Sequence, residues 1–192
     1  ERHPLPMHEL NTDTAPTIDA DATAALLDWV QRMDRTHADA FATAQQWARR
    51  MGAHLRDDGT AEVGLWAPEL DRAEAQAGDA VLEILTPPPD LDLTAPDQTV
   101  SFRRDTVQLR RYRDVCWGVV EGMRPGTRDT VGSFYWLRYP DADGAWHTVP
   151  DHLAHSVPFG AFAPAEFYDV ASLQRNRADA DYWADLPDSF LN

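Results

Sequence analysis

The sequence is short of the residues that staple small proteins or carry phosphate chemistry. It has one cysteine, Cys116, which excludes an intramolecular disulfide framework and a cysteine-built zinc site. It has no lysine; all 17 basic residues other than histidine are arginine. No apolar run approaches the roughly 18 residues that a membrane-crossing helix needs. The ten glycines are scattered and form no phosphate-binding loop. A Gly-x-Ser-x-Gly elbow and a His-Glu-x-x-His pair are also missing. The chain opens at Glu1 with no basic segment followed by an apolar one, so the expected location is cytoplasmic.

Acid is plentiful. There are 32 acidic residues in 192, and the net charge is -15. A surface of that sign repels phosphate backbones and anionic lipid, so neither nucleic acid nor membrane is an expected partner. Most of the charge is accounted for by solubility alone. Hydrophobic residues make up 43%, enough for a core without a metal or disulfide, and no cofactor is expected.

Periodicity divides the chain. Residues 1–17 carry Pro4, Pro6 and Pro16 and read as an extended arm. Residues 18–58 read as a helical extension, one bent helix or a pair. Leu26, Leu27, Val30 and Met33 mark one apolar stripe; Phe41, Ala44, Trp47, Ala48, Met51 and Leu55 mark a second. Asp19 or Asp21 can cap the first helix and Thr36 the second. These stripes need a surface to cover, most simply a sheet face, with Trp47 and Met51 at the contact.

From residue 59 the period becomes two. Ala61, Val63 and Leu65 alternate with Glu62, Gly64 and Trp66, and Val115, Trp117 and Val119 with Cys116, Gly118 and Val120. About seven short strands fall between 59 and 170, separated by Pro, Gly and Asp. The expected fold is mainly β with a helical N-terminal extension: an immunoglobulin-like antiparallel β-sandwich with one or two packed helices. An acidic tail or linker follows over 171–192.

Candidate chemistry is sparse. Cys116 lies mid-strand and reads as a small buried hydrophobe. His147, His152 and His155 cluster around Asp151 but match no standard metal spacing, and no metal site is assigned. Asp141 to Gly144 reads as a hairpin turn. Glu83 and Glu121 sit in apolar surroundings, but Glu83 is expected to face solvent, and neither is taken as catalytic. Trp117, Trp136 and Trp146 are the candidates for carbohydrate binding, because an aromatic ring pairs an apolar face with a polar edge. Core filling is the competing reading for each, and Trp136 has the strongest claim to an outer face.

Several short motifs, taken in order, resemble a known module. Leu65-Trp66-Ala67-Pro68 is followed by Trp117, by Gly122-Met123-Arg124-Pro125-Gly126-Thr127 and by Phe134-Tyr135-Trp136-Leu137-Arg138-Tyr139. Val149-Pro150-Asp151 and Ser156-Val157-Pro158-Phe159-Gly160 close the series. The series resembles the N-terminal early-set domain of α-amylase family glycoside hydrolases, such as the trehalohydrolases, and the helical prefix and acidic composition resemble those of glucosylglycerol hydrolases. Segment 87–113 departs from the pattern and is expected to hold an extra hairpin around Asp105.

The resemblance implies a non-catalytic accessory domain. It would pack on a catalytic barrel, of the same protein or of a partner subunit, and touch an α-glucoside or α-glucan. The family's catalytic residues lie on that barrel, so none is carried over to this chain. The alternative is a self-contained carbohydrate-binding or protein-interaction module.

Overall fold

In a computed structural model, the protein is described over residues 14–37, 39–72, 80–92, 101–154, 156–158, 160 and 162–172. Most of the expected arm, and the expected tail beyond residue 172, lie outside the described residues.

The chain is mainly β. The strands are β1 (Thr17–Ile18), β2 (Gly52–Leu55), β3 (Ala61–Trp66), β4 (Val81–Thr86), β5 (Arg103–Gln108), β6 (Arg110–Tyr112), β7 (Val115–Glu121), β8 (Phe134–Pro140), β9 (Trp146–Val149) and β10 (Ala165–Glu166). Three of these ten are only two or three residues long. The helices are α1 (Ala20–Thr36), α2 (Ala40–Ala48) and the short α3 (Glu69–Arg72). Every strand pairing is antiparallel. Sheet A runs β1-β7-β3-β2 with β6 also on β7; sheet B runs β10-β8-β4-β5 with β9 also on β8.

Strand β7 shows why the layers form. Its even residues, Cys116 and Val120, join a buried cluster with Val63 and Leu65 of β3 and with Leu82, Ile84, Tyr135 and Leu137 of sheet B. Its odd residues, Val115, Trp117 and Val119, join a second cluster with Leu26, Leu27, Val30, Trp47 and Met51. The strand is therefore apolar on both faces, one against sheet B and one against the helices. Trp47 also donates its indole N–H to the Val30 carbonyl at 3.1 Å, which ties α2 to α1. Gly64 lies opposite Trp117 in the register. A Cβ there would come within 2.6 Å of the Trp117 ring, so the absence of a side chain makes room for the indole.

Four local expectations change. Helix ends at Ala48, and Gly52–Leu55 is instead a strand paired with β3. Gly52 has φ 89°, which breaks the helical phase that Met51 and Leu55 suggest. Phe41 is 73% exposed, so the second stripe buries Trp47 and Met51 but not its first member. Asp39, not Thr36, caps α2 by accepting from the Ala42 N–H at 2.7 Å; Asp19 caps α1. Finally, no hairpin turns at Asp105. Arg103–Gln108 is one continuous strand at the end of sheet B, where charged side chains on both faces still reach water or partners.

Candidate functional site

The outer face of sheet B carries the aromatic candidates. Strand alternation sends Tyr135, Leu137 and Tyr139 inward and leaves Trp136 and Arg138 on the other face. Register then sets Glu83 of β4 beside Trp136, and β9 brings Trp146 level with Pro140. Glu83 is only 4% exposed, although it lies on the outer face. Trp136 donates its indole N–H to Oε1 at 2.8 Å, Arg104 donates to the same oxygen at 3.1 Å, and Arg138 reaches Oε2 at 3.3 Å. The expectation that this carboxylate points into solvent is corrected: two arginines and an indole cover it. A buried charge is tolerable only with such partners.

Trp146 is 50% exposed, and the Arg138 guanidinium lies 5.5 Å from its ring centroid. Trp136 is half-buried, with its polar edge taken by Glu83. The two rings, the buried carboxylate and the arginines form one continuous aromatic and polar face. Trp117 does not join it. It is 0% exposed, in the cluster between sheet A and the helices, with Trp29 and Trp47 edge-on at 6.4 and 6.2 Å. A ring without accessible surface cannot stack on a sugar, so Trp117 belongs to the core.

The other sequence candidates resolve one by one. Burial pushes the Cys116 thiol up to about 12, which suits an inert hydrophobe. His147 pairs with Asp141 at 2.7 Å and stacks on Tyr139; His155 lies outside the described residues. Among the described residues no group of three or more His, Cys, Asp or Glu is placed to hold a metal ion. Asp141 accepts from the Asp143 and Ala145 amides and shapes the β8–β9 turn. Asp151 is buried, taking the Tyr135 hydroxyl at 2.6 Å and the Leu153 amide. Glu121 accepts from Thr17 at the β1–β7 pairing.

Two features escape the linear pattern. One is the pair of buried carboxylates that brace the scaffold: Glu62 held by Arg50 and Arg56, and Glu166 held by the Gly132 amide and Ser156. The other is a groove of about 570 Å³ between α1, α2 and the β6–β7 turn. Its walls include Asp34, Trp47, Trp66, Arg113 and Asp114, which are far apart in sequence. The only linear hint is Trp66, polar-edged and last in an alternating strand.

Among the described residues no helix is long and apolar enough to cross a membrane. The family model for "Hypothetical glycoside hydrolase 5" matches residues 25–188. No curated protein and no solved structure matches the chain.

Proposed function

The chain belongs to the hypothetical glycoside hydrolase 5 family, and on that premise we propose that it is a non-catalytic, sugar-contacting domain of an α-glycoside hydrolase. In this reading the two sheets form an early-set, immunoglobulin-like sandwich, with residues 18–58 as a helical extension and 171–192 as the tail toward a catalytic barrel. The barrel, in the same protein or in a partner subunit, supplies the bond-breaking carboxylates. This chain supplies a wall that binds an α-glucoside or α-glucan.

The observation that carries the reading is the outer face of sheet B. Half of Trp146 stands in solvent, and Arg138 lies beside its ring. Trp136 stands on the same face, two positions along β8 from Arg138, and its indole N–H is held by Glu83. Pre-set rings bind a sugar's C–H face without losing side-chain freedom, and arginine donors reach its hydroxyls. The loop between β9 and β10 adds support for the docking half of the proposal. Leu153, Val157 and Phe162 are exposed there, Phe162 at 89%. Large apolar side chains exposed along one loop are candidates for a contact surface.

Titration of the purified chain with maltooligosaccharides, followed by calorimetry, tests the reading. Binding should appear and weaken at least tenfold in Trp146→Ala, with the circular dichroism spectrum unchanged. An aryl α-glucoside should not be turned over. Equal affinity in the variant would remove Trp146 from the site, and turnover by the chain itself would end the accessory reading.

A further inference from the structure

The groove beside the helices has its own recognition chemistry. Asp34 sits in the last turn of α1, where the helix dipole disfavours a carboxylate. Two donors compensate, the Tyr112 hydroxyl and the Arg113 guanidinium, both at 2.8 Å from Oδ2. Asp114 accepts the Trp66 indole N–H through Oδ2 at 2.9 Å. In each case Oδ1 takes no donor among the described residues. Trp66 remains 45% exposed, and Trp47 and Met51 form the apolar floor.

Arg113 adds a second observation. Its φ is 55°, the one positive value among described residues other than glycine. A left-handed conformation in a two-residue turn is strained for arginine relative to a residue suited to it. Glycine would turn the chain there without strain. What arginine contributes instead is a guanidinium beside Asp34.

We propose that this groove is a binding site for a neutral polyhydroxyl ligand of mono- to disaccharide size. Its hydroxyls donate to Oδ1 of Asp34 and Asp114 and accept from Arg113, while an apolar face of the ligand lies on Trp66. An anion would meet two carboxylates. A simple cation would meet Arg113 beside Asp34. A purely apolar ligand would strip water from two carboxylate oxygens without replacing it. The volume lies within the usual range for small-molecule sites, about 300 to 1,000 Å³. The groove is on the helix-covered side of sheet A, so the inference does not rest on sheet B binding sugar.

Indole N–H resonances of the full chain provide the test, with the Trp66 signal assigned by Trp66→Phe. Glucose and maltose are the probes, with tetramethylammonium and sulfate as controls. The Trp66 resonance should shift saturably with a sugar and not with either ion, on its own saturation curve, whether or not the Trp136 and Trp146 signals also move. Arg113→Gly should keep or raise thermal stability and weaken the effect at least tenfold. Ala44→Phe, which narrows the groove from an exposed helix position, should do the same without touching a hydrogen bond. A shift confined to Trp136 and Trp146 would overturn the proposal and leave the sheet B site standing. No shift of Trp66 with either sugar, an equal shift with tetramethylammonium, or full response in both variants would also overturn it.

Discussion

At the scale of single residues, the structure is held by a few buried charges whose partners decide their worth. Glu62 is the clearest. Burial alone would push its carboxyl up, but hydrogen bonds from Arg50 and Arg56, with their charges, outweigh it and hold the group below its usual value of 4.5. A depressed folded-state value stabilises the protein above the ordinary carboxylate range, and that contribution fades as pH falls through it. Glu62→Gln should therefore lower the urea midpoint clearly at neutral pH, and by progressively less as the pH falls below the ordinary carboxylate range and through the depressed folded-state value. A variant equally destabilised across that range would show that packing, not charge, is what Glu62 contributes. Arg50 has a further role, since its guanidinium lies 4.3 Å from the Trp29 ring centroid and joins the carboxylate to the helix layer.

At the scale of elements, the helices and β7 depend on each other. Trp47 fills the contact with Trp117 and caps its own N–H on Val30. Trp47→Ala should cost about 3 to 5 kcal/mol in chemical denaturation, the range for losing a buried large aromatic side chain. A loss below about 1 kcal/mol would mean that the helices are loosely attached. This contact was legible from the stripe spacing, and so were β3 and β7 as strands. Strand β5 was not, because an end strand tolerates charge on both faces and Arg103-Arg104-Asp105 carries no apolar phase. Strand β2 was hidden because Met51 and Leu55 happen to continue the helical spacing. Part of the candidate face was legible: phase put Trp136 and Arg138 on one face together with Phe134, which the structure nevertheless buries completely. Burial of Trp117 was not, because β7 alternates between two apolar sets and only the helices decide that both are covered. The groove could not be found this way at all, since Asp34, Trp66 and Asp114 meet only through tertiary structure.

At the scale of the molecule, two apolar clusters share one strand, so the helical layer and the sheets should unfold together. A chain shortened to begin at Gly52 keeps β2 but loses α1 and α2, and it uncovers Val115, Trp117 and Val119. Such a chain should bind a hydrophobic dye strongly and aggregate at concentrations where the whole chain stays monodisperse. A shortened chain that remains folded and monodisperse would mark the helices as a separable appendage. A strand with two apolar faces also raises a question of phase. Slipping β7 by one residue would still bury hydrophobes on both sides, so alternation does not choose the pairing. Bulk does. Trp117 fits over Gly64, while Gly118 leaves space on the opposite face, where a Cβ would already come within 2.7 Å of Leu109. The largest side chain of the strand and its two flanking gaps thus work as a key and its lock. A one-residue slip would set the Trp117 ring against a position that carries a side chain instead of the space over Gly64, so the register is chosen by where a collision is avoided.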